Sequence, residues 1–289
     1  MKRHIYLTGA RDNMEKSNVL NAIIAIVDHN NNHINGVRSG NLSQSGRGLE
    51  EYILRAFSNS FALEEPDYNE RLHEVFSYWG SACTPPDAMI RGGVAIEIKK
   101  IESASQIQLN SSMPKKALFS SDPMLTEECR NAEEWDKKDI IYAIGVVKNS
   151  ILRHLFFVYG IDYCPSNSCE SLFKQLKESI HGISGLSIDD SNELGRINDI
   201  GPLKSAYLRM RAMWVMKTPW KVFNIRIDNR KEFTMSLVVN DDIWGKLLEH
   251  SNIDEQILIQ KGLSIQNFTI KNPDDCRPVP GKLITYSIP

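Results

Sequence analysis

Apolar residues recur at helical spacing in four stretches of the chain. The clearest case follows Glu50, where Tyr52, Ile53, Leu54, Phe57 and Phe61 form an apolar-periodic run. Residues three or four positions apart share one face of an α-helix, and such an apolar face packs against a core. We therefore predict helices over residues 18–28, 46–61, 67–76 and 171–180.

Runs of β-branched and aromatic residues alternate with these helical stretches. The runs at 138–147 and 152–159 are almost continuously apolar, which is typical of strands covered on both faces. Residues 86–101 predict a hairpin, and shorter runs at 222–227, 234–239 and 283–288 predict strands in an appended β-rich region.

Together these elements predict an α/β fold with a mixed central β-sheet flanked by helices, plus a C-terminal extension. We expect a single domain over residues 1–289. Within it we expect an N-terminal helical part at 1–44, a catalytic core at about 45–185, and the C-terminal β-rich extension at about 200–289.

The predicted hairpin carries the most informative polar residues of the chain. Asp87 follows a Pro-Pro pair, and a Gly-Gly turn at 92–93 leads into a strand containing Glu97 and Lys99. Side chains alternate between the faces of a strand, so Glu97 and Lys99 point to the same side. If residues 91–93 form a three-residue loop, the register places Asp87 opposite Glu97.

Two carboxylates and an ammonium on one face suit a divalent-metal site beside a phosphate. Mg2+ prefers oxygen ligands, which Asp87, Glu97 and the backbone carbonyl of Ile98 can supply. Lys99 can orient a water molecule and stabilise developing negative charge. The alternative is a solvated hairpin face, because a Glu-x-Lys sequence on an amphipathic strand is common by chance.

Composition restricts the class of protein. The chain has 289 residues with 42% hydrophobic content, a net charge of −2 and a pI of about 6.4, so DNA binding would need a local positive cleft. The five cysteines lack the paired spacing of a zinc site. We find no signal peptide and no apolar run long enough to span a membrane, and we expect a cytoplasmic prokaryotic protein with reduced thiols.

The hairpin resembles the PD-(D/E)xK nuclease superfamily, with Pro86-Asp87 and Glu97-Ile98-Lys99 matching its two halves. Further stretches are similar to the NgoPII-type family of type II restriction endonucleases. They are AIEIKKIES from Ala95, QLNSS from Gln108, Pro114-Lys115, LTEECRN from Leu125, WDKKDIIYAIG from Trp135, ELGR from Glu193 and YLRMRAMW from Tyr207.

This resemblance implies a restriction-endonuclease-like core and a type II site-specific deoxyribonuclease. It implies Mg2+-dependent cleavage of both strands of DNA at a short palindrome, GGCC. A palindrome matches the two-fold symmetry of a homodimer. A restriction enzyme also implies a cognate DNA methyltransferase.

In the superfamily, a helix before the first core strand often contributes a glutamate to the metal site. The resemblance assigns this role to Glu50, with Glu51 as the reserve. The alternative is that both residues favour the first turn of a helix because of its dipole.

Candidates for DNA contact are Arg, Lys and Asn side chains in segments that flank the predicted sheet. Arginine and lysine match the acceptors of guanine in the major groove. Each candidate can instead contact phosphates, pair with an acidic neighbour or simply be solvated. The candidates are Asn110, Lys115, Lys116, Arg130, Asn131, Arg209 and Arg211.

Two other functions fit the same sequence. One is a repair or recombination nuclease of this superfamily that selects DNA structure rather than sequence. The other is a non-catalytic DNA-binding module, against which the intact Asp87, Glu97 and Lys99 argue.

Overall fold

The computed structural model describes residues 17–34, 42–80, 85–103, 105–110, 112–184, 188–189 and 193–289, with the side chains of 42–47 and 110 excepted. Its strands are β1 (Phe76–Trp79), β2 (Ala88–Ile90), β3 (Ala95–Ile101), β4 (Gln106–Asn110), β5 (Ala117–Phe119), β6 (Lys137–Lys148), β7 (Ile151–Tyr159), β8 (Gly195–Ile200), β9 (Ala206–Met210), β10 (Trp214–Lys217), β11 (Phe233–Asn240), β12 (Ser264–Lys271) and β13 (Pro278–Ile288). Its helices are α1 (Val19–His29), α2 (Leu42–Ser58), α3 (Asp67–Val75), α4 (Glu127–Arg130), α5 (Gly160–Tyr163), α6 (Ser166–His181), α7 (Pro219–Val222), α8 (Asp241–Ser251) and α9 (Glu255–Gln260).

One mixed sheet organises the described residues. Its strand order is β1-β2-β3-β6-β7-β11-β13-β12, with β5 paired to β6 off this path. β3 is parallel to β6 and β7 is parallel to β11, whereas the other pairs are antiparallel. The predicted α/β architecture with a mixed central sheet flanked by helices is therefore confirmed.

The sheet is covered on both faces, as the continuous apolar runs of β6 and β7 predicted. On one face, Leu49 and Phe57 of α2 pack in a cluster with Ile96 and Ile98 of β3. On the other face, residues of β4, β10 and α7 pack against Tyr142 and its neighbours in β6. Burial of both faces explains why these strands lack polar alternation.

The four predicted helices are present as α1, α2, α3 and α6. The Asn18 side chain accepts hydrogen bonds from the first turn of α1, and Asn30 ends this helix in a left-handed conformation. α2 begins at Leu42, before the predicted start, and α6 begins at Ser166 rather than at 171. Polar first turns leave no hydrophobic periodicity, so the pattern located these helices but not their first residues.

The strand predicted over residues 222–227 is wrong. Pro219 at the start of α7 favours a helical turn there, which ends at Val222. Asn224 then adopts a positive φ of 55°, which breaks any extended run.

The strands predicted at 234–239 and 283–288 are present within β11 and β13, but they are not an appendage. β11 pairs in parallel with β7, and β13 and β12 continue the central sheet beyond it. Residue pattern predicts a strand but not its partner, and the pairing places this part of the chain in the core. Among the helices of the described residues, none is long and apolar enough to cross a membrane.

Candidate active site

The β2–β3 hairpin has the predicted loop and register. Ala88 pairs with Ile96, and the Ile90 amide donates to the Val94 carbonyl at 2.9 Å, which closes the loop at residues 91–93. The register carries Asp87 to the position beside Glu97. The turn residues alone were sufficient to predict this neighbourhood.

Asp87 lies just before β2, where the edge of β3 becomes open. Its amide donates to the Ile96 carbonyl at 3.0 Å, and its carboxylate accepts the Ile98 amide at 2.6 Å. The N–H and C=O of one strand residue point to the same side, so the Ile98 carbonyl also faces this edge. The open edge therefore places a carboxylate and a backbone carbonyl side by side.

Glu97 and Lys99 share the strand face predicted for them. The Lys99 Nζ lies 2.6 Å from Glu97 Oε1, and Glu97 is only 3% exposed. The other carboxylate oxygen, Oε2, is buried without a hydrogen-bond partner among the described residues. Leaving a buried charged oxygen unpaired is costly, so this atom fits a site that a cation completes.

The electrostatics of the hairpin also favour a cation. Burial and the neighbouring Glu97 raise the pKa of Asp87 far above its usual range, against the opposing effects of Lys99 and the Ile98 amide. Burial acts to lower the pKa of Lys99, but Glu97, Asp87 and Glu50 outweigh it and raise this pKa overall. The site thus disfavours a second ionised carboxylate beside Glu97 unless a further cation offsets its charge.

Glu50 lies in the interior of α2, so its position has no helix-dipole explanation. Its charge raises the pKa values of both Asp87 and Lys99, which places it within electrostatic reach of the hairpin. Glu51, the reserve, instead pairs with Arg55 at 3.0 Å on the exposed side of the helix.

No group of three or more His, Cys, Asp or Glu side chains is arranged as a metal cluster within the described ranges. Mg2+ does not require one, since it is usually held by one or two carboxylates with water and substrate oxygens. Asp87, Glu97 and the Ile98 carbonyl fit that requirement. The four free cysteines in the described residues, Cys129, Cys164, Cys169 and Cys276, lie outside this hairpin.

Sequence analysis missed Tyr142, which lies beside Glu97 in the β3–β6 register. Its buried hydroxyl accepts the Lys115 amide at 3.1 Å and donates to the Lys115 carbonyl at 3.3 Å. Ser166 adds a second clamp by accepting the Lys116 amide at 2.7 Å. A tyrosine within an apolar strand looks like core, so no sequence signal identified this role.

The clamped segment separates the acidic site from a groove of about 800 Å3. Pro85, Met113 and Lys115 line both this groove and the narrow space that contains Glu97. Four lysines lie along the groove: Lys115, Lys116, Lys137 and Lys177.

The proposed DNA-contact residues fall in three different places. Lys115 and Lys116 line the groove, where they form ion pairs with Asp122 and Asp274 respectively. The backbone of Asn110 belongs to β4, and its side chain lies outside the described residues.

Arg130 and Asn131 lie at the end of α4. The Arg130 guanidinium donates to the carbonyls of Ser120 and Asp122 at 2.8 and 2.9 Å, so it braces its own loop. Asn131 is exposed at the C-terminal cap of α4.

Arg209 lies within β9, and Arg211 lies just past its last residue, Met210. Both guanidiniums pair with Glu193 at 2.5 Å on the protein surface. The hydrogen bond from Arg209 is the main reason that the pKa of Glu193 falls to about 2. The acidic partner considered from the sequence is therefore present.

A mixed central sheet flanked by helices is consistent with a restriction-endonuclease-like fold, the class of protein expected from the sequence. The NgoPII restriction endonuclease family matches residues 17–271. The type II restriction enzyme NgoPII of Neisseria gonorrhoeae is 45% identical over 281 residues, which cover 93% of this chain and 100% of that protein. The chain belongs to the NgoPII restriction endonuclease family, whose activity is that of a type II site-specific deoxyribonuclease. No solved structure matches the chain.

Proposed function

We propose that this enzyme hydrolyses phosphodiester bonds in both strands of DNA at the palindrome GGCC, with Mg2+ held at the β2–β3 hairpin. The observation that carries the metal assignment is the buried Glu97 Oε2, which has no partner among the described residues and lies beside a second carboxylate. The target sequence rests on family resemblance alone.

Asp87 and Glu97 are the proposed carboxylate ligands, with the Ile98 carbonyl as a backbone ligand. Glu50 is proposed to add charge from α2, consistent with its effect on the pKa of Asp87. Bound Mg2+ would polarise the scissile phosphate and lower the pKa of a bound water.

Lys99 is proposed to act on the reacting atoms. Its ammonium is held at 2.6 Å from Glu97, and its raised pKa keeps it charged at neutral pH. A fixed positive charge at this point stabilises negative charge that develops on the phosphate and orients the attacking water. Tyr142 is proposed to act indirectly, because its hydroxyl holds the backbone of Lys115 beside the site.

The test compares Glu97→Gln and Lys99→Ala with Glu102→Gln, an exposed residue just past the same strand. We expect the site variants to lose about a hundredfold or more in cleavage rate while still binding DNA in EDTA. Glu102→Gln should cleave normally. Wild-type cleavage by Glu97→Gln would exclude this hairpin as the active site.

Restriction at a palindrome is distinguished from structure-selective cleavage by the products. Digestion of a long unmethylated duplex should give discrete fragments whose ends all map to GGCC. Cutting that depends on junctions or free ends would instead support a repair or recombination nuclease.

We further propose that the enzyme acts as a homodimer and is paired with a cognate DNA methyltransferase. Two active sites related by a two-fold axis match the two strands of a palindrome. Sedimentation with and without the duplex tests the dimer. The pairing with a methyltransferase is tested by asking whether GGCC sites methylated on cytosine resist cleavage by this enzyme.

Asn110, Lys115, Lys116, Arg130, Asn131, Arg209 and Arg211 remain the proposed DNA contacts. Removing a residue that reads a base should cost about 1–3 kcal/mol of binding free energy and relax sequence specificity. Removing a phosphate contact should weaken binding to all sequences alike. Lys116→Ala and Arg209→Ala, assayed on GGCC and single-mismatch duplexes, separate these roles.

A further inference from the structure

A second basic cavity lies away from the groove that Lys115 and Lys116 line. It has a volume of about 470 Å3 and is lined by Ser103, Val146, Lys148, Arg153, His154, Ile227, Asn229 and Lys231. Three of these residues are permanent cations, and no carboxylate is among the described residues that line it.

Among the described residues, no salt bridge neutralises the cations of this cavity. Within the described parts of the chain, Lys148, Arg153 and Lys231 form no ion pair with a carboxylate, although such pairs are frequent elsewhere on this surface. Asp228, close to Lys231 in the chain, is held by Arg230 at 2.9 Å and does not line the cavity. Together with the hydrogen bonds from Arg230, Lys231 lowers the pKa of Asp228 without forming a salt bridge with it. Lys148 and Arg153 are therefore the cations that no carboxylate of the described residues offsets. In a protein with a net charge of −2, this cluster is a local positive site.

Neutral hydrogen-bonding groups complete the lining. Arg153 is oriented by a hydrogen bond to the Glu232 carbonyl at 3.4 Å. The buried His154 ring is fixed by Thr234 at 2.8 Å. Ser103 and Asn229 add a hydroxyl and an amide, which can donate to an anionic oxygen.

Strand register places this cavity on the same sheet face as the catalytic residues. Ile101 shares the face of Glu97 in β3, and it pairs with Val146 in β6. Val146 in turn pairs with His154 in β7. Paired residues of neighbouring strands point to the same face.

The register also sets the distance between the cavity and Glu97. Four residues along β3 give about 13 Å and two strand spacings give about 10 Å, so His154 lies roughly 16 Å from Glu97. A DNA strand advances about 3.4 Å per nucleotide along the axis, so this separation corresponds to roughly five base pairs.

We infer that this cavity binds a backbone phosphate of the DNA duplex, within about half a helical turn of the cleaved bond. A cationic pocket on the catalytic face matches the phosphate contacts that position a protein on DNA without reading its sequence. The inference rests on the enzyme cleaving DNA at the β2–β3 hairpin. It assigns Lys148, Arg153 and Lys231 to affinity rather than to chemistry.

The test measures binding in EDTA, where no cleavage occurs, for Lys231→Gln and Arg153→Gln. Lys174→Gln, an exposed lysine of α6 whose side chain is 79% exposed, is the matched control. Each cavity variant should weaken binding to GGCC and non-GGCC duplexes alike and reduce the salt dependence by about one ion per contact. The control should change neither.

A phosphate scan makes the test specific. In a series of duplexes, each phosphate within about six base pairs of the cut is replaced in turn by an uncharged methylphosphonate. At one position, the replacement should weaken DNA binding by the wild type but not by Lys231→Gln. Lys148→Gln, at an exposed position, repeats the scan if another variant is unstable. Absence of such coupling at every position would overturn the inference.

The outcomes separate this inference from the proposed function. If the enzyme binds GGCC specifically but the phosphate scan shows no coupling to Lys231, only the assignment of the cavity is rejected. In another outcome, inorganic phosphate raises the melting temperature of the wild type but not of Lys231→Gln, while the scan shows no coupling. That result would identify a site for free anions and would also overturn the inference. Failure of the wild type to bind or cut DNA would instead reject the proposed function.

Discussion

Replacing Asp87 with asparagine should stabilise the metal-free protein. The asparagine side-chain oxygen can still accept the Ile98 amide that Asp87 accepts at 2.6 Å, so the backbone contact is kept. The change removes only the charge that burial and Glu97 disfavour. The proposed cation site thus costs stability when the cation is absent.

The magnitude follows from the hairpin geometry. Facing side chains of an antiparallel pair lie about 5 Å apart, and two carboxylates at that distance repel by about 3 kcal/mol at an effective dielectric constant near 20. Lys99 cancels part of this repulsion, whereas burial of the carboxylate adds to its cost, so we expect a net gain of order 1–2 kcal/mol. For a chain of this size, that gain raises the melting temperature by a few degrees.

The gain should depend on pH with a definite sign. Because the folded state raises the pKa of Asp87, the wild type loses stability as pH rises from the ordinary aspartate pKa through the raised value. The advantage of Asp87→Asn should therefore be small near pH 4 and largest above neutrality.

Thermal unfolding in EDTA between pH 5 and pH 9 measures this difference. Asp139→Asn, at a β6 position whose side chain is 53% exposed, is the control and should change little. Adding Mg2+ should raise the melting temperature of the wild type but not of Asp87→Asn. An Asp87→Asn protein that is no more stable than the wild type at high pH would refute the reasoning.

Three further substitutions test how the site is supported. Tyr142→Phe leaves the Lys115 amide and carbonyl without their partner, and we expect a loss of about 1–3 kcal/mol in urea unfolding together with slower cleavage. Gly160→Ala places a Cβ 2.3 Å from the Lys115 carbonyl oxygen, so it should cost about 1–3 kcal/mol, and unchanged stability would show that the segment moves freely. Lys138→Met removes the buried ammonium that donates to the Ile90 and Gly93 carbonyls and pairs with Glu133. Hydrogen exchange should therefore accelerate in the β2–β3 hairpin but not in β13.

The polar residues of the hairpin show how far local sequence can lead. A Gly-Gly turn fixes the loop length, the loop fixes the register, and strand alternation then places Asp87 beside Glu97 and Lys99 on the same face as Glu97. Each step involves residues close in the chain. The same locality explains why the four apolar-periodic helices were predicted from spacing alone.

Contacts between distant segments could not be predicted in this way. Three such contacts join residues that are separated along the chain. β11 pairs with β7, Tyr142 binds the backbone of Lys115, and Arg209 and Arg211 both pair with Glu193. The cavity around Arg153 and Lys231 likewise forms only where β7 meets the loop before β11.

The sequence by itself therefore predicted four of the helices (α1, α2, α3 and α6), the strands β6, β7, β11 and β13, and the acidic hairpin with its lysine. Tertiary structure alone decided that the C-terminal strands complete the central sheet, that Glu50 lies within electrostatic reach of Asp87, and that a second cationic cavity lies on the sheet face of Glu97. The physical reason is that periodicity and turn geometry act over a few residues, whereas strand pairing and charge clustering depend on which segments pack together.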